Sequence, residues 1–156
     1  MTVQPTVYKR LKFPAPLLYV VCLGLGYAAQ MLMPTGGLSG GVAQLLGYAL
    51  PGLGLVMIAY SVAQFESVGT SVFPFRPTTK LVQTGIYHIS RNPIYVGMTL
   101  IYTGIGIGLD NLWILGLLVV IIPAMNWGVI GPEEKFLEEK FGQEYLRYTY
   151  QVRRWL

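Results

Sequence analysis

Apolar positions along the chain gather into four long runs, Pro14–Met33, Gly40–Phe65, Pro93–Leu109 and Leu112–Gly131, separated by two short turns and one long polar connector. Crossing a hydrocarbon core of roughly 30 Å takes about 20 mostly apolar residues per helix. The four runs therefore predict four membrane helices, the third short and dependent on its flanks. None alternates in the dyad manner of a barrel strand, and in lipid each backbone must satisfy its own hydrogen bonds. The pattern predicts an all-α, polytopic membrane protein forming one domain. A second pattern follows the fourth run. Phe136, Leu137, Phe141, Tyr145 and Tyr148 recur at spacings of three and four among Lys135, Glu138, Glu139, Lys140, Glu144 and Arg147, which predicts an amphipathic helix over 132–150, docked on the membrane surface or on the loop around Gly85.

The interruptions carry information of their own. Met33-Pro34-Thr35-Gly36-Gly37 marks a tight turn between the first two helices, and Asp110-Asn111 is so short that the third and fourth must form an antiparallel hairpin. Pro51-Gly52-Leu53-Gly54 falls inside the second run and predicts a close helix contact or a kink. Gly97, Gly104 and Gly108 share one face of the third, where small residues let backbones touch. The run Gly104-Ile-Gly106-Ile-Gly108 has no strand before it, so it is not a dinucleotide loop. The connector over 66–92 holds Gly69, Thr70, Ser71, Pro74, Pro77, Thr78 and Thr79, and reads as irregular, with Phe73 and Phe75 dipping into the interface.

Composition agrees: of 156 residues, 53% are hydrophobic and 12% charged, well beyond what a water-soluble domain requires. The placement of charge then sets orientation. Lys9, Arg10 and Lys12 precede the first run, Arg76, Lys80 and Arg91 lie in the connector, and Lys135, Lys140, Arg147, Arg153 and Arg154 follow the fourth, whereas the two short turns carry only Asp110. The positive-inside rule puts both termini and the connector in the cytoplasm. The net charge of +4 is thus topology and attraction to anionic headgroups, not nucleic-acid binding. Met1–Phe13 reads as an interfacial lead-in to an uncleaved anchor. A single cysteine, Cys22, inside the first run forbids an intrachain disulfide and speaks against a metal site. No metal-ligand spacing, Ser-His-Asp set or P-loop occurs.

Chemistry concentrates in Leu81–Gly97, which holds the only histidine together with Tyr87, Arg91, Asn92 and Tyr95 just before an apolar run. Asn92-Pro93 stops any helix before it and starts the next, so Arg91 and Asn92 sit at a helix N-terminus, whose free N–H groups suit a carboxylate. Glu133 and Glu134 come at the same membrane boundary, where a carboxylate is costly without a cation. Such a set suits a zwitterionic or cationic ligand that meets a lipophilic one.

Two stretches bear a resemblance. Leu81-Val82-x-Thr84-Gly85-x-Tyr87-x-x-x-Arg91-Asn92-Pro93-x-Tyr95-x-Gly97, followed one helix hairpin later by Glu133-Glu134-x-x-Leu137-x-x-x-Phe141-Gly142-x-Glu144-Tyr145-x-x-Tyr148, resembles the isoprenylcysteine carboxyl methyltransferase and phospholipid methyltransferase superfamily of integral membrane enzymes. Many relatives have Arg-His-Pro where this chain has Arg91-Asn92-Pro93, a departure that weakens any claim to a prenylcysteine substrate. The resemblance implies S-adenosylmethionine as methyl donor and a lipid or other lipophilic acceptor. It implies that Leu81, Val82, Gly85 and Tyr87 hold the adenosine, that His88 or Asn92 and the third-helix N-terminus hold the donor carboxylate, and that Glu133 or Glu134 takes its ammonium. Tyr95 and Gly97 would line the wall beside the sulfonium. Arg91 would orient the acceptor, with Tyr145, Tyr148 and Arg153 closing the pocket, so that Arg91, Glu134 and Tyr95 form the catalytic set. The rival expectations are an NADPH-dependent membrane reductase of the sterol type and a non-catalytic membrane scaffold.

Overall fold

The computed structural model describes residues 14–38, 40–69 and 80–156, so the lead-in Met1–Phe13 and the connector residues 70–79, Phe73 and Phe75 among them, lie outside the described residues. The fold is all-α, with no strand among the described residues. Helix α1 covers Ala15–Leu32 and α2 Gly41–Ser67; a 3-10 turn, Gly85–His88, leads to α3, Pro93–Gly108. Then come α4 (Leu112–Gly116), α5 (Leu118–Met125), a π-helical segment (Asn126–Ile130), α6 (Gly131–Phe141) and α7 (Gln143–Gln151). Helices α1, α2 and the continuous rod Leu112–Phe141 are long and apolar enough to cross a membrane, while α3 is shorter. The protein is an integral membrane protein.

The C-terminal part differs from expectation. In place of a membrane run ending at Gly131 and one amphipathic helix over 132–150, the helix that starts at Leu112 continues through Pro132 to Phe141, and the chain bends at Gly142 (φ 54°), where α6 ends and α7 begins. Proline lacks an N–H and its ring crowds the carbonyl four residues earlier. The wider π turn just before Pro132, in which the Gly131 N–H reaches back to the Asn126 carbonyl, absorbs both effects. Gly142 adopts a left-handed conformation that residues with a Cβ rarely take, so the bend falls there.

The most extensive helix contact is α2 on α3. A Cβ on Gly97 would lie 2.7 Å from the Gly54 carbonyl, and one on Gly47 would lie 2.7 Å from the Gly108 Cα. Gly104 lies against the ring and neighbours of Pro51, so Pro51 serves as a packing surface within an unbroken α2. Three glycines of α3 thus meet the small and proline positions of α2, Gly97 and Gly108 backbone against backbone and Gly104 against the proline ring. On the other side, Tyr19 and Cys22 of α1 join Tyr102, Ile114, Ile121, Met125, Val129 and Ile130 in the main buried cluster.

At the end where α3 meets α4, loops knot together. Asp110 (φ 49°) accepts the N–H groups of Gly37 and Leu38 at 3.2 and 2.7 Å, Leu112 N donates to the Thr35 hydroxyl, Trp113 Nε1 donates to the Met33 carbonyl, and buried Asn111 caps α4 while donating to the Gly26 carbonyl.

Candidate active site

The opposite end of α3 carries the site. Gly85 (φ 61°) turns the chain in a conformation strained for any residue with a Cβ, in tight contact with Gln64 and Tyr60 of α2. Tyr87, buried, packs edge-on against Phe65 at 5.4 Å, and its carbonyl accepts the Tyr148 hydroxyl at 2.6 Å. The loop is thereby clamped between α2 and α7. Its next residues bind the chain end: Arg91 N donates to the Arg153 carbonyl at 3.0 Å, and Asn92 Nδ2 and the Ser90 hydroxyl both reach the Arg154 carbonyl, at 3.0 and 3.4 Å. Pro93 then opens α3 in the position where its missing N–H costs nothing.

The two carboxylates of α6 part company. Glu133, half-buried, receives the Tyr95 hydroxyl at 2.8 Å on one oxygen and 2.9 Å on the other, and no cation pairs with it among the described residues. Glu134 is paired twice, with Arg91 Nη1 at 2.9 Å and with Arg154, whose Nε and Nη2 reach its two oxygens at 3.1 and 2.5 Å. This is a bidentate guanidinium clamp, the stronger form of such a pair. Arg91 also donates to the Tyr145 hydroxyl at 3.4 Å, and its Nε is buried with no hydrogen-bond partner among the described residues.

Burial pushes the Tyr145 phenol up to about 12, with the Glu134 charge adding to it and Arg91 opposing, and burial likewise raises Tyr87 and Tyr148. Hydrogen bonding to Glu134 raises Arg154 further. The tyrosines therefore remain hydroxyl donors across the physiological range.

Of the residues singled out in the sequence, Arg91, Tyr95, Glu133, Glu134 and Tyr145 are brought together. Leu81 packs on the cluster of Tyr145, Tyr148 and Val152, and Val82 is buried. The rest are placed otherwise. His88 is exposed, the Arg153 side chain points outward with only its carbonyl engaged, and the Asn92 amide is occupied by the chain end. Gly97 lies against Gly54 and Ile58 in the α2 contact, because a helix crossing this tight leaves no room for a side chain. Sequence reasoning missed Ser90, Arg154 and the pairing of Trp155 with Asn126 (2.9 Å). Only the run Arg153-Arg154-Trp155, two cations and an indole closing an amphipathic segment, hinted at it.

Fold and site together define a helical membrane protein with a charged, half-buried side-chain cluster at one end of its helices. The phospholipid methyltransferase family profile matches residues 42–144, well over half of the chain. The chain belongs to that family of membrane methyltransferases. It is also similar to an uncharacterized protein of Haemophilus influenzae, 42% identical over 65 residues, which make up 40% of this chain and all of that protein.

Proposed function

We propose that this protein transfers a methyl group from S-adenosylmethionine to a lipophilic acceptor at the cytoplasmic face of a membrane. The observation that carries the reading is Glu133: a half-buried carboxylate held by a tyrosine hydroxyl and, among the described residues, without a cation, beside a neighbour that has two. A carboxylate so placed is costly until a positive ligand group arrives. The ammonium of an amino-acid-bearing donor is such a group.

Around it, the residues divide by what they can still offer. Glu134 is neutralised by Arg91 and Arg154, so Glu133 takes the donor's ammonium. The backbone over 81–85 and the Tyr87 ring support the adenosine. With Asn92 engaged and His88 exposed, the N-terminus of α3 is left for the donor carboxylate. The Nε of Arg91, buried and without a hydrogen-bond partner among the described residues, supports its assignment to an anionic group on the acceptor. When bound, S-adenosylmethionine supplies an electrophilic methyl group on a sulfonium, for in-line displacement by the acceptor. The protein's contribution is alignment, which can be worth several kcal/mol as effective molarity, about 7–11 at best. The acceptor dissolves in the bilayer and enters sideways, while the donor enters from water. The distribution of basic residues supports a cytoplasmic site.

Calorimetric binding of S-adenosylhomocysteine and, separately, of NADPH to the purified protein tests the reading. Saturable binding of the first alone, weakened roughly ten- to a hundredfold in Glu133→Gln, is the expected result; binding of NADPH alone, or of neither, would overturn it.

A further inference from the structure

We propose that Trp155 is a positioning residue for the donor pocket, holding Arg154 on Glu134 by anchoring the chain end to Asn126 in the π segment. The inference rests on the donor reading of Glu133 given above.

Asn126 is the only amide or charged side chain between Leu112 and Gly131. It opens the π segment, where its carbonyl takes the Gly131 N–H, and its Oδ1 accepts the Trp155 indole N–H at 2.9 Å. The Trp155 ring packs on the core cluster that includes Met125, Val129 and Ile130, while Val152 belongs to the separate cluster of Tyr145 and Tyr148. The chain end thus bridges both clusters. Between these anchors, Arg154 clamps Glu134, and its carbonyl receives Asn92 and Ser90.

Arg154 needs that support. Its side chain is 39% exposed, so water screens even this bidentate pair and ordering the long side chain costs entropy that the pair must offset. A packed, hydrogen-bonded indole one residue later fixes the backbone from which the guanidinium reaches. Without it, Glu134 keeps only Arg91 and competes with Glu133 for a cationic ligand group. Trp155 therefore keeps Glu134 doubly occupied, so that the cationic ligand group meets Glu133 without a competitor. π turns recur at functional sites, and here the wide turn supplies the amide that the indole grips.

The test is calorimetric binding of S-adenosylhomocysteine by full-length protein in detergent, with unliganded melting measured in parallel. Trp155→Phe keeps a ring and removes the N–H, Asn126→Leu leaves the indole in place, and Trp127→Phe, at a tryptophan 79% exposed, is the control. The first two each weaken affinity about tenfold, their double variant loses no more than either alone, and the control binds as wild type. Asn126→Leu carries the test if Trp155→Phe fails to fold. Normal affinity in the folded single variants, or a lowered melting temperature with normal affinity, overturns the proposal and leaves the donor reading standing. No binding by wild type overturns the donor reading and this proposal with it.

Discussion

Adjacent residues on a helix point about 100° apart, and for Glu133 and Glu134 that rotation separates a carboxylate facing a tyrosine from one facing two arginines. Glu133→Gln keeps the shape and an acceptor for Tyr95 while removing the charge. It is expected to weaken S-adenosylhomocysteine binding by roughly ten- to a hundredfold, the range for a charged hydrogen bond, without lowering the melting temperature. Glu134→Gln does the reverse to stability. It strands Arg91, only 13% exposed, and a loss of about 2 kcal/mol follows, seen as a lower melting temperature, with little added by the more open Arg154. Tyr145 gives a pH signature. Its folded pKa of about 12 exceeds the ordinary 10, so its contribution to stability is complete below pH 10 and lost as pH rises towards 12; the alkaline fall in melting temperature is shallower in Tyr145→Phe. At this scale the sequence showed that a carboxylate pair at a membrane boundary must find partners. Which glutamate found which depended on Arg154, whose approach is set by chain contacts that no local pattern encodes.

Among the elements, the α2 and α3 crossing has the least tolerance. Gly97→Ala places a methyl group 2.7 Å from a backbone carbonyl, which cannot yield as a side chain does, and overpacking of this kind costs roughly 1–3 kcal/mol. Gly24 of α1 has nothing within 4 Å, and there alanine is neutral or stabilising by up to about 1 kcal/mol through helix propensity. Thermal melting of the two variants side by side checks the contrast. The small-residue face of α3 was legible from its spacing, and so was the hairpin at Asp110-Asn111. The join at Gly131-Pro132 was not. A proline after a glycine reads as a stop, and only the π turn ahead of it, a register adjustment without a sequence signature, lets the helix continue to Phe141. The bend falls instead at Gly142, with its positive φ.

For the whole molecule, the asymmetry of basic residues expects the site and both termini on the cytoplasmic side. Cys22 is the only cysteine and is buried, so the wild-type chain offers a silent background for labelling. In sealed, right-side-out vesicles, Leu109→Cys is expected to react with an impermeant maleimide and Gln143→Cys only after the membrane is opened; the opposite pattern inverts the topology. The all-α class and membrane embedding were plain in the apolar runs, because a lipid environment leaves the backbone so few choices. The way the chain closes on itself was not, since it depends on long-range contacts such as Asp110 with Gly37 and Leu38. That knot also makes the bundle a lever with a fulcrum at one end. Any rocking of α3 is smallest at Asp110 and largest at Arg91 and Tyr95, and a tilt of about 5° over its 16 residues sweeps its far end through about 2 Å. Tightening the fulcrum, for example with a crosslink between the 37 and 110 positions, is then a way to change the swing at the carboxylates from the far side of the membrane without touching them.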